Sequence, residues 1–298
     1  MNPQDHKIFF LLDEINPHAI KTWIKRHQKI VDYTAQHHAF FASRRSQVME
    51  KLRRVLRDEQ KEYVLDNPWS RIVSQQYSNT PLSTTGSVLS MPGGRFNIGK
   101  IDTERFPQFP ALYLAEDMQT AYLESVGLTQ NESINGLTTN ELAVAGNFSH
   151  FQITGQVAQI LDLTKEETLV NFYELIKDIE LPIYFRREAK NLGINPPLPV
   201  NSLKQLYDTI FAEDWRFAPM QLDIPANSQI LGQIARSAGL EGILYRSVRC
   251  RHLSLCLFPD NFKNSESCIE IVGEAADTVI DRRLDKNTYE KFLPTKWD

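Results

Sequence analysis

The sequence is informative first through what it lacks. Glycine is absent from the first 85 residues, which argues against tight turns that need positive φ in that part of the chain. No apolar run approaches the roughly 18 residues of a membrane span, and acidic residues directly follow the short apolar patch at 8–12. The formal net charge of −4 gives no general attraction for nucleic acid or for anionic membranes. We therefore expect a soluble, cytoplasmic protein that does not act at a membrane.

Cysteine is also scarce, and the three copies, Cys250, Cys256 and Cys268, all lie in the last fifth of the chain. A sparse and odd set argues against a disulfide framework and for a reducing compartment. His252 lies between two of these cysteines, but the spacing lacks the paired Cys-x-x-Cys of a structural zinc site. We therefore expect buried or incidental thiols and no bound metal.

Residues 1–66 have the pattern of a helical extension. One apolar stripe follows Asn16-Pro17, and a second runs from Val48 to Tyr63 at helical spacing. The second stripe carries basic side chains, among them Arg53 and Arg54, with acidic residues between them. This balance favours a solvated helix face over direct binding to nucleic acid.

The remainder of the chain predicts an α+β fold with a mixed, mostly antiparallel sheet, because short strand-like runs are scattered among helices without regular βαβ alternation. We interpret Asp66-Asn67-Pro68 as a break before the first strand, which carries Arg71. The expected layout is one domain over 67–276, with an enlarged helical insertion at about 128–213. A polar tail is expected over 277–298.

The most distinctive stretch is the turn at 91–99, which places three glycines around one arginine and one asparagine. Gly93 and Gly94 allow the backbone to approach a ligand closely, and Arg95 offers a rigid fork of donors to an anion. The turn has neither the Gly-x-Gly-x-x-Gly spacing of a dinucleotide fold nor the Gly-Lys-Ser/Thr of a P-loop. It is therefore interpreted as an anion-binding turn of a different type.

A short strand and a helix follow the turn. Leu112-Tyr113-Leu114 has high strand preference, Asp117 is a good N-cap, and Glu124 lies beside the apolar stripe of the helix. Tyr113 and Glu124 would then complete a polar small-molecule pocket behind the turn.

Several motifs occur together in one order along the chain. They are Trp69-Ser70-Arg71-Ile72-Val73, Gly93-Gly94-Arg95-Phe96-Asn97, Ala121-Tyr122-Leu123-Glu124, Asp214-Trp215 and the strand from Gly242 to Arg249. In this combination the chain resembles the RES domain, a family named for its arginine, glutamate and serine. The resemblance covers about 69–262.

The resemblance implies an ADP-ribosyltransferase-like fold and a toxin that consumes NAD⁺, by hydrolysis or by phosphorolysis. It also implies a protein partner, an antitoxin with a helix-turn-helix domain, and NAD⁺ as a substrate with no separate cofactor. The extension at 1–66 and the long region at 128–213 depart from a minimal RES domain. They leave open the oligomeric state, including a homo-oligomer, and the mode of antitoxin contact.

The resemblance also assigns site residues. Those expected in catalysis are Glu124, Arg71 and Tyr113, and those expected to bind NAD⁺ are Arg95, Gly93, Gly94, Asn97 and Ser247. The chemistry suits these types, because a carboxylate near the ribose favours an oxocarbenium-like transition state and arginines neutralise a pyrophosphate. Tyr113 is expected to stack on the nicotinamide. Ser247 is expected either to bind a ribose hydroxyl or to position Glu124.

Alternatives stay open at this stage. The same pocket would serve transfer of ADP-ribose to a protein or nucleic acid, because only the acceptor differs. A non-catalytic partner-binding protein would instead use the basic helix around Arg53. Each residue taken alone also has a structural explanation. Arg95 could instead fasten its own loop, Tyr113 could be a core residue, and Ser247 could be a small residue that fits in a strand.

Overall fold

The computed structural model describes residues 17–126, 133–134, 137–138, 148–195, 199–273 and 277–294. Its α-helices are α1 (Pro17–Gln47), α2 (Met49–Asp58), α3 (Thr85–Leu89), α4 (Met118–Val126), α5 (Val170–Ile176), α6 (Ile183–Leu192), α7 (Leu203–Ile210), α8 (Phe217–Leu222) and α9 (Asn227–Ser237). The strands are β1 (Gln60–Ser74), β2 (Leu112–Ala115), β3 (Ser133–Ile134), β4 (Leu137–Thr138), β5 (Phe148–Asp162), β6 (Gly242–Arg246), β7 (Leu253–Leu257), β8 (Cys268–Val272) and β9 (Arg283–Leu284). None of these helices is long and apolar enough to cross a bilayer.

Seven strands form one mixed sheet in the order β1-β2-β7-β6-β5-β8-β9. Every pairing in it is antiparallel except that of β5 with β6, which is parallel. The α+β class and the mostly antiparallel sheet expected from the sequence are therefore confirmed. The strand β1 pairs along its length with β5 and also meets β2 at Ser70↔Ala115, so five strands form a closed circuit of pairings.

The chain groups into two compact units. In the first, α1 packs with α6, and Tyr33 and Phe185 lie in an apolar cluster between them. The second contains residues 48–177 and the chain from Val200 onward. This grouping divides the chain after Gln47, earlier than the expected boundary at 66, and it places residues 178–199 of the expected insertion with α1.

The sequence-based assignment of residues 60–66 to a helix was wrong. The helix α2 ends at Asp58, and β1 begins at Gln60 and pairs with β5 from its first residue. The predicted break at Asp66-Asn67-Pro68 is a shift of register within β1, between Leu65 and Trp69. Proline has no N–H to donate, so an irregular point is where a paired strand tolerates it.

Two apolar clusters pack within the second unit. One contains Leu52 and Leu56 of α2 and Ile234 of α9, and the other contains Leu65, Trp69 and Leu255 of the strands. The region expected as a polar tail also contributes to the second cluster, because Leu284 and Phe292 are buried there. The parts of the expected insertion at 128–132, 135–136, 139–147 and 196–198 lie outside the described residues.

Candidate active site

A cavity of about 460 Å³ opens in the second unit, at the ends of β1 and β2. This volume is within the range of small-molecule sites. Its lining includes six of the eight residues predicted for the site, namely Arg71, Gly93, Gly94, Arg95, Tyr113 and Glu124. Asn97 and Ser247 do not line the cavity.

Both glycines of the turn are required by geometry. Gly93 has φ of +94°, and a Cβ added there would lie 2.4 Å from the backbone nitrogen of Gly99. A Cβ added at Gly94 would lie 2.3 Å from the hydroxyl oxygen of Tyr113. The turn therefore packs directly on the tyrosine ring, and a larger residue at either position would force it away.

Asn97 fixes the turn from within the protein. It is 0% exposed, and its Oδ1 accepts hydrogen bonds from the Gly94 N–H and the Tyr113 hydroxyl, both at 2.9 Å. Its Nδ2 donates to the carbonyls of Ser87 at 2.8 Å and Phe109 at 3.2 Å. The Asn97 side chain therefore has no free group for the predicted ligand, and the Gly94 N–H already donates within the protein.

Gln229 on α9 holds the same turn from the other side, and sequence reasoning missed it. This fully buried side chain donates Nε2 to the carbonyls of Pro92 at 3.0 Å, Gly94 at 3.2 Å and Asn97 at 3.0 Å. One turn further along α9, a Cβ added at Gly232 would lie 2.0 Å from the Phe96 carbonyl oxygen. The helix backbone therefore lies directly against the turn that presents Arg95.

Tyr113 serves the turn as well as the cavity. Its hydroxyl accepts from the Phe96 N–H at 3.0 Å and donates to Asn97. Burial is the main cause that raises the pKa of Tyr113 well above its usual value, and Cys256 adds to it. The hydroxyl therefore stays protonated at neutral pH and keeps its donor role.

Arg71 is tied to backbone carbonyls. Its Nε donates to Pro81, its Nη1 to Tyr113 at 2.9 Å and its Nη2 to Ser83 at 3.1 Å. Burial lowers the pKa of Arg71 to about 10, which leaves the guanidinium charged at neutral pH. These three bonds fasten the loop at 81–83 to β2, so Arg71 shapes the cavity wall.

Arg95 is only partly satisfied by the protein. It is 4% exposed, and its Nη1 donates to the carbonyls of Ile210 at 3.3 Å and Ala212 at 3.1 Å, while its buried Nε has no hydrogen-bond partner. Burial lowers the pKa of Arg95, and Tyr245 and Glu124 oppose that shift. Arg95 lines the cavity and forms no ion pair with a described residue, so its positive charge is suited to an anionic ligand there.

Trp215 and Arg216 are further lining residues to which the sequence assigned no role. The guanidinium of Arg216 lies 4.6 Å from the centroid of the Trp215 ring, and that of Arg95 lies 5.6 Å from it. Among the described residues, no carboxylate or carbonyl is within hydrogen-bonding distance of Arg216. Burial is the main cause that lowers its pKa, and the like charge of Arg249 adds to it. The only sequence signal was the Asp214-Trp215 pair ahead of a helix.

Glu124 and Ser247 are brought together. Glu124 projects from α4 into the cavity lining, and its Oε1 accepts a hydrogen bond from the Ser247 hydroxyl at 2.5 Å. Ser247 is fully buried in the loop after β6 and also accepts from the Arg249 N–H at 3.1 Å. Of the two expected roles for Ser247, these contacts correspond to positioning of Glu124.

The cysteine and histidine pattern does not assemble around an ion. The Cys250 sulfur lies 3.2 Å from the Thr120 hydroxyl, and His252 Nδ1 lies 3.0 Å from a carboxylate oxygen of Asp117. Within the described part of the chain, no group of three or more His, Cys, Asp or Glu side chains has the arrangement of a metal site.

Similarity to known proteins is found with a family model and with solved structures. Curated proteins gave no match. Among solved structures, a chain of the M. tuberculosis MbcT–MbcA toxin–antitoxin complex aligns with a TM-score of 0.42 and 16% identity, over 81% of this chain and 96% of that one. A family model described as the RES domain matches residues 68–278. Because that match spans most of the chain, the protein belongs to the RES domain family.

Proposed function

We propose that this protein cleaves the bond between nicotinamide and ribose in NAD⁺, with water or phosphate as the acceptor. The observation that carries the proposal is the position of Glu124. Its carboxylate lies at a cavity that is also lined by Arg95 and by Arg216, and neither guanidinium forms an ion pair with a described residue. A carboxylate beside two cations available to a ligand suits a substrate that carries a pyrophosphate and develops positive charge on a sugar.

The reaction requires charge stabilisation more than proton transfer. Nicotinamide departs as a neutral molecule, so the main demand is to stabilise the oxocarbenium-like ribose that it leaves behind. The Ser247 hydroxyl donates a hydrogen bond to Oε1 of Glu124, and Oε2 has no hydrogen-bond partner among the described residues. In the proposed complex, Oε2 faces the ribose and Ser247 keeps the carboxylate in place.

The pyrophosphate is assigned to Arg95 and Arg216. Both guanidinium groups lie against Trp215, which limits their freedom before the ligand arrives. Arg71 shapes the cavity wall in addition, since its three carbonyl bonds hold the loop at 81–83 against β2. Direct contact of Arg71 or Tyr113 with the reacting atoms remains a prediction, as does stacking of Tyr113 on nicotinamide.

The biological setting is also part of the proposal. Family resemblance supports a toxin that depletes NAD⁺ inside the cell and is held inactive by a helix-turn-helix antitoxin. Transfer of ADP-ribose to a protein or nucleic acid is the second candidate for the reaction, because it would use the same Glu124 and the same cations.

The decisive experiment incubates purified protein with NAD⁺, with and without inorganic phosphate, and identifies the products. Release of nicotinamide is expected, together with ADP-ribose or a phosphorylated ADP-ribose. Glu124→Gln is expected to lower kcat by roughly 10²–10³-fold, because it removes the charge and keeps the shape. Glu167→Gln is the matched control, since Glu167 is an exposed glutamate of the same unit outside the cavity.

Failure to release nicotinamide under both conditions would reject the proposal. Release only when cell lysate is added, with label from NAD⁺ appearing on a macromolecule, would favour the transferase. Equal activity of Glu124→Gln and the wild type would show that the carboxylate has no part in the reaction.

A further inference from the structure

The loop that carries Ser247 is a tight connection between β6 and β7, and we call residues 247–252 the serine loop. The Ser247 N–H donates to the His252 carbonyl at 2.8 Å, and the Arg251 N–H donates to the Ser247 carbonyl at 2.9 Å. Arg251 has φ of +68°, a left-handed conformation that a residue with a side chain adopts only at a cost. The surroundings of the loop therefore have to help to hold its shape.

The helix α4 contacts the serine loop one turn before Glu124. Thr120 is 1% exposed and does not line the cavity, and its Oγ1 lies 3.2 Å from the Cys250 sulfur. Residues four apart lie on the same face of a helix, so Thr120 and Glu124 face the loop together. Ser247 is the residue of the loop that meets Glu124. The loop is thus attached to α4 by two pairs of side chains.

Asp117 determines the direction of the hydrogen bonds at Thr120. Its Oδ1 accepts from the Thr120 N–H at 2.8 Å, which caps α4, and its Oδ2 accepts from the Thr120 hydroxyl at 2.8 Å. Because a hydroxyl has a single hydrogen, the Thr120 oxygen is left as the acceptor, and the Cys250 thiol is the donor. Asp117 Oδ2 also lies 3.0 Å from His252 Nδ1, at the far end of the serine loop.

We propose that Thr120 is a positioning residue, which holds the serine loop so that the Ser247 hydroxyl meets Glu124. This inference rests on the proposed function, in which Glu124 acts on the ribose. Removal of the Thr120 hydroxyl takes away the acceptor of the Cys250 thiol and lets the loop shift away from α4. A misplacement of about 1 Å can cost on the order of 10²-fold in rate, and we expect a smaller loss here because Thr120 acts through Ser247.

Thr120→Val tests the helix side of this contact, because it keeps the branched shape of the side chain and removes the hydroxyl. It is expected to lower kcat about tenfold and to leave KM within about twofold of the wild type. Thr120→Ser retains the hydroxyl and is expected to restore kcat to within about twofold of the wild type. An unchanged kcat in Thr120→Val, or no recovery in folded Thr120→Ser, would overturn the inference.

Cys250→Ala tests the loop side and keeps the inference falsifiable if Thr120→Val does not fold. It removes the thiol donor and is expected to lower kcat about fivefold, since a thiol is a weak donor. Cys268→Ala is the matched control, because Cys268 is a half-buried free thiol on β8 outside the cavity lining. A thermal melt checks that each variant folds. Equal kcat values of the two alanine variants would contradict the inference.

A double-mutant cycle shows whether Thr120 acts through Ser247. In Ser247→Ala the bond to Glu124 is already lost, so adding Thr120→Val is expected to lower kcat by less than about twofold. Losses that multiply would overturn the inference, because they indicate a separate effect on the fold.

The same cycle followed by urea denaturation needs no substrate. The shifts that Thr120→Val and Ser247→Ala cause in the unfolding midpoint are expected to be non-additive, because the two side chains hold one loop. Non-additive shifts without any turnover of NAD⁺ would reject the proposed function and support the placement of Ser247 by Thr120. Additive shifts would overturn the inference whether or not the protein cleaves NAD⁺.

Discussion

The hydroxyl of Ser247 donates to Oε1 of Glu124 at 2.5 Å, although 123 positions separate the two residues in the chain. The serine has no exposed surface, and the glutamate reaches the cavity. The bond therefore joins a loop behind the site to the carboxylate proposed to act in it. A carboxylate restrained in this way is oriented before a substrate arrives.

Ser247→Ala is expected to lower kcat by roughly 10–100-fold with little change in KM, because Glu124 loses the group that fixes its orientation. Nicotinamide release under saturating NAD⁺ measures the effect. Ser228→Ala is the control, since Ser228 is equally buried and its hydroxyl has no partner. A kcat within twofold of the wild type would show that Ser247 does not position Glu124.

Arg216→Ala is expected to raise KM for NAD⁺ by about tenfold or more and to leave the melting temperature nearly unchanged. The reason is that the Arg216 side chain forms no hydrogen bond or close ion pair with a described residue, although the charge of Glu124 acts on it, so its removal affects the ligand more than the fold. Steady-state kinetics and a thermal melt provide the two readouts.

Arg54→Ala serves as the control for Arg216, because Arg54 is exposed on α2 and does not line the cavity. The two variants also separate enzyme from partner-binding protein. Loss of function in cells on Arg54→Ala, with Arg216→Ala and Glu124→Gln unaffected, would favour the basic helix as the working surface.

Gln229→Leu is expected to lower the free energy of unfolding by about 3 kcal/mol, because three carbonyls of the turn lose their common donor. Urea denaturation measures the change. Gln233→Leu, one turn further along α9, makes no such bonds and is expected to change stability by about 0.5 kcal/mol or less. Equal effects of the two substitutions would contradict the role given to Gln229.

Alkaline pH is expected to destabilise the protein above about pH 10. Burial raises the pKa of Tyr113 and of Tyr245 well above the usual 10.0, whereas the unfolded chain ionises its tyrosines near that value. At these two tyrosines the folded state then binds more protons than the unfolded state, so their contribution to the free energy of unfolding falls as the pH rises through this window, while Arg71, whose pKa burial lowers to about 10, acts in the opposite direction.

Urea denaturation at pH 8 to 11 checks this expectation. Tyr113→Phe is expected to be less stable than the wild type at pH 8, because two hydrogen bonds are lost, but to show a shallower decline above pH 10. Tyr184→Phe is the control, since Tyr184 is 56% exposed. An identical decline in all three proteins would assign the effect to other groups.

The sequence predicted those parts of the site that are local or that recur as short motifs. The positions of Gly93 and Gly94 in the turn could be predicted, because few other residues fit a turn that packs on an aromatic ring. The pairing of Glu124 with Ser247 was one of two roles considered, and only the folded chain distinguishes them. The α+β class was predicted from short strands scattered among helices, and this prediction depends little on where each strand begins and ends.

The parts that could not be predicted depend on contacts between distant segments. Residues 60–65 continue the helical spacing of α2, yet pairing with β5 makes them a strand, because tertiary contacts override weak local preference. Asn97 was expected at the ligand because it belongs to the glycine-rich turn, and the sequence does not reveal the hydrogen bonds that it makes within the protein. Gln229 lies more than a hundred positions from the turn that it holds, and an amide on a helix gives no sign of such a partner.

The helix α9 contributes no residue to the cavity lining, yet Gln229 and Gly232 hold the turn that presents Arg95. The shape of the site is therefore maintained by a helix that does not line the cavity. We expect a displacement of α9 by the length of a hydrogen bond to release the turn and so to impair the proposed reaction without blocking the cavity.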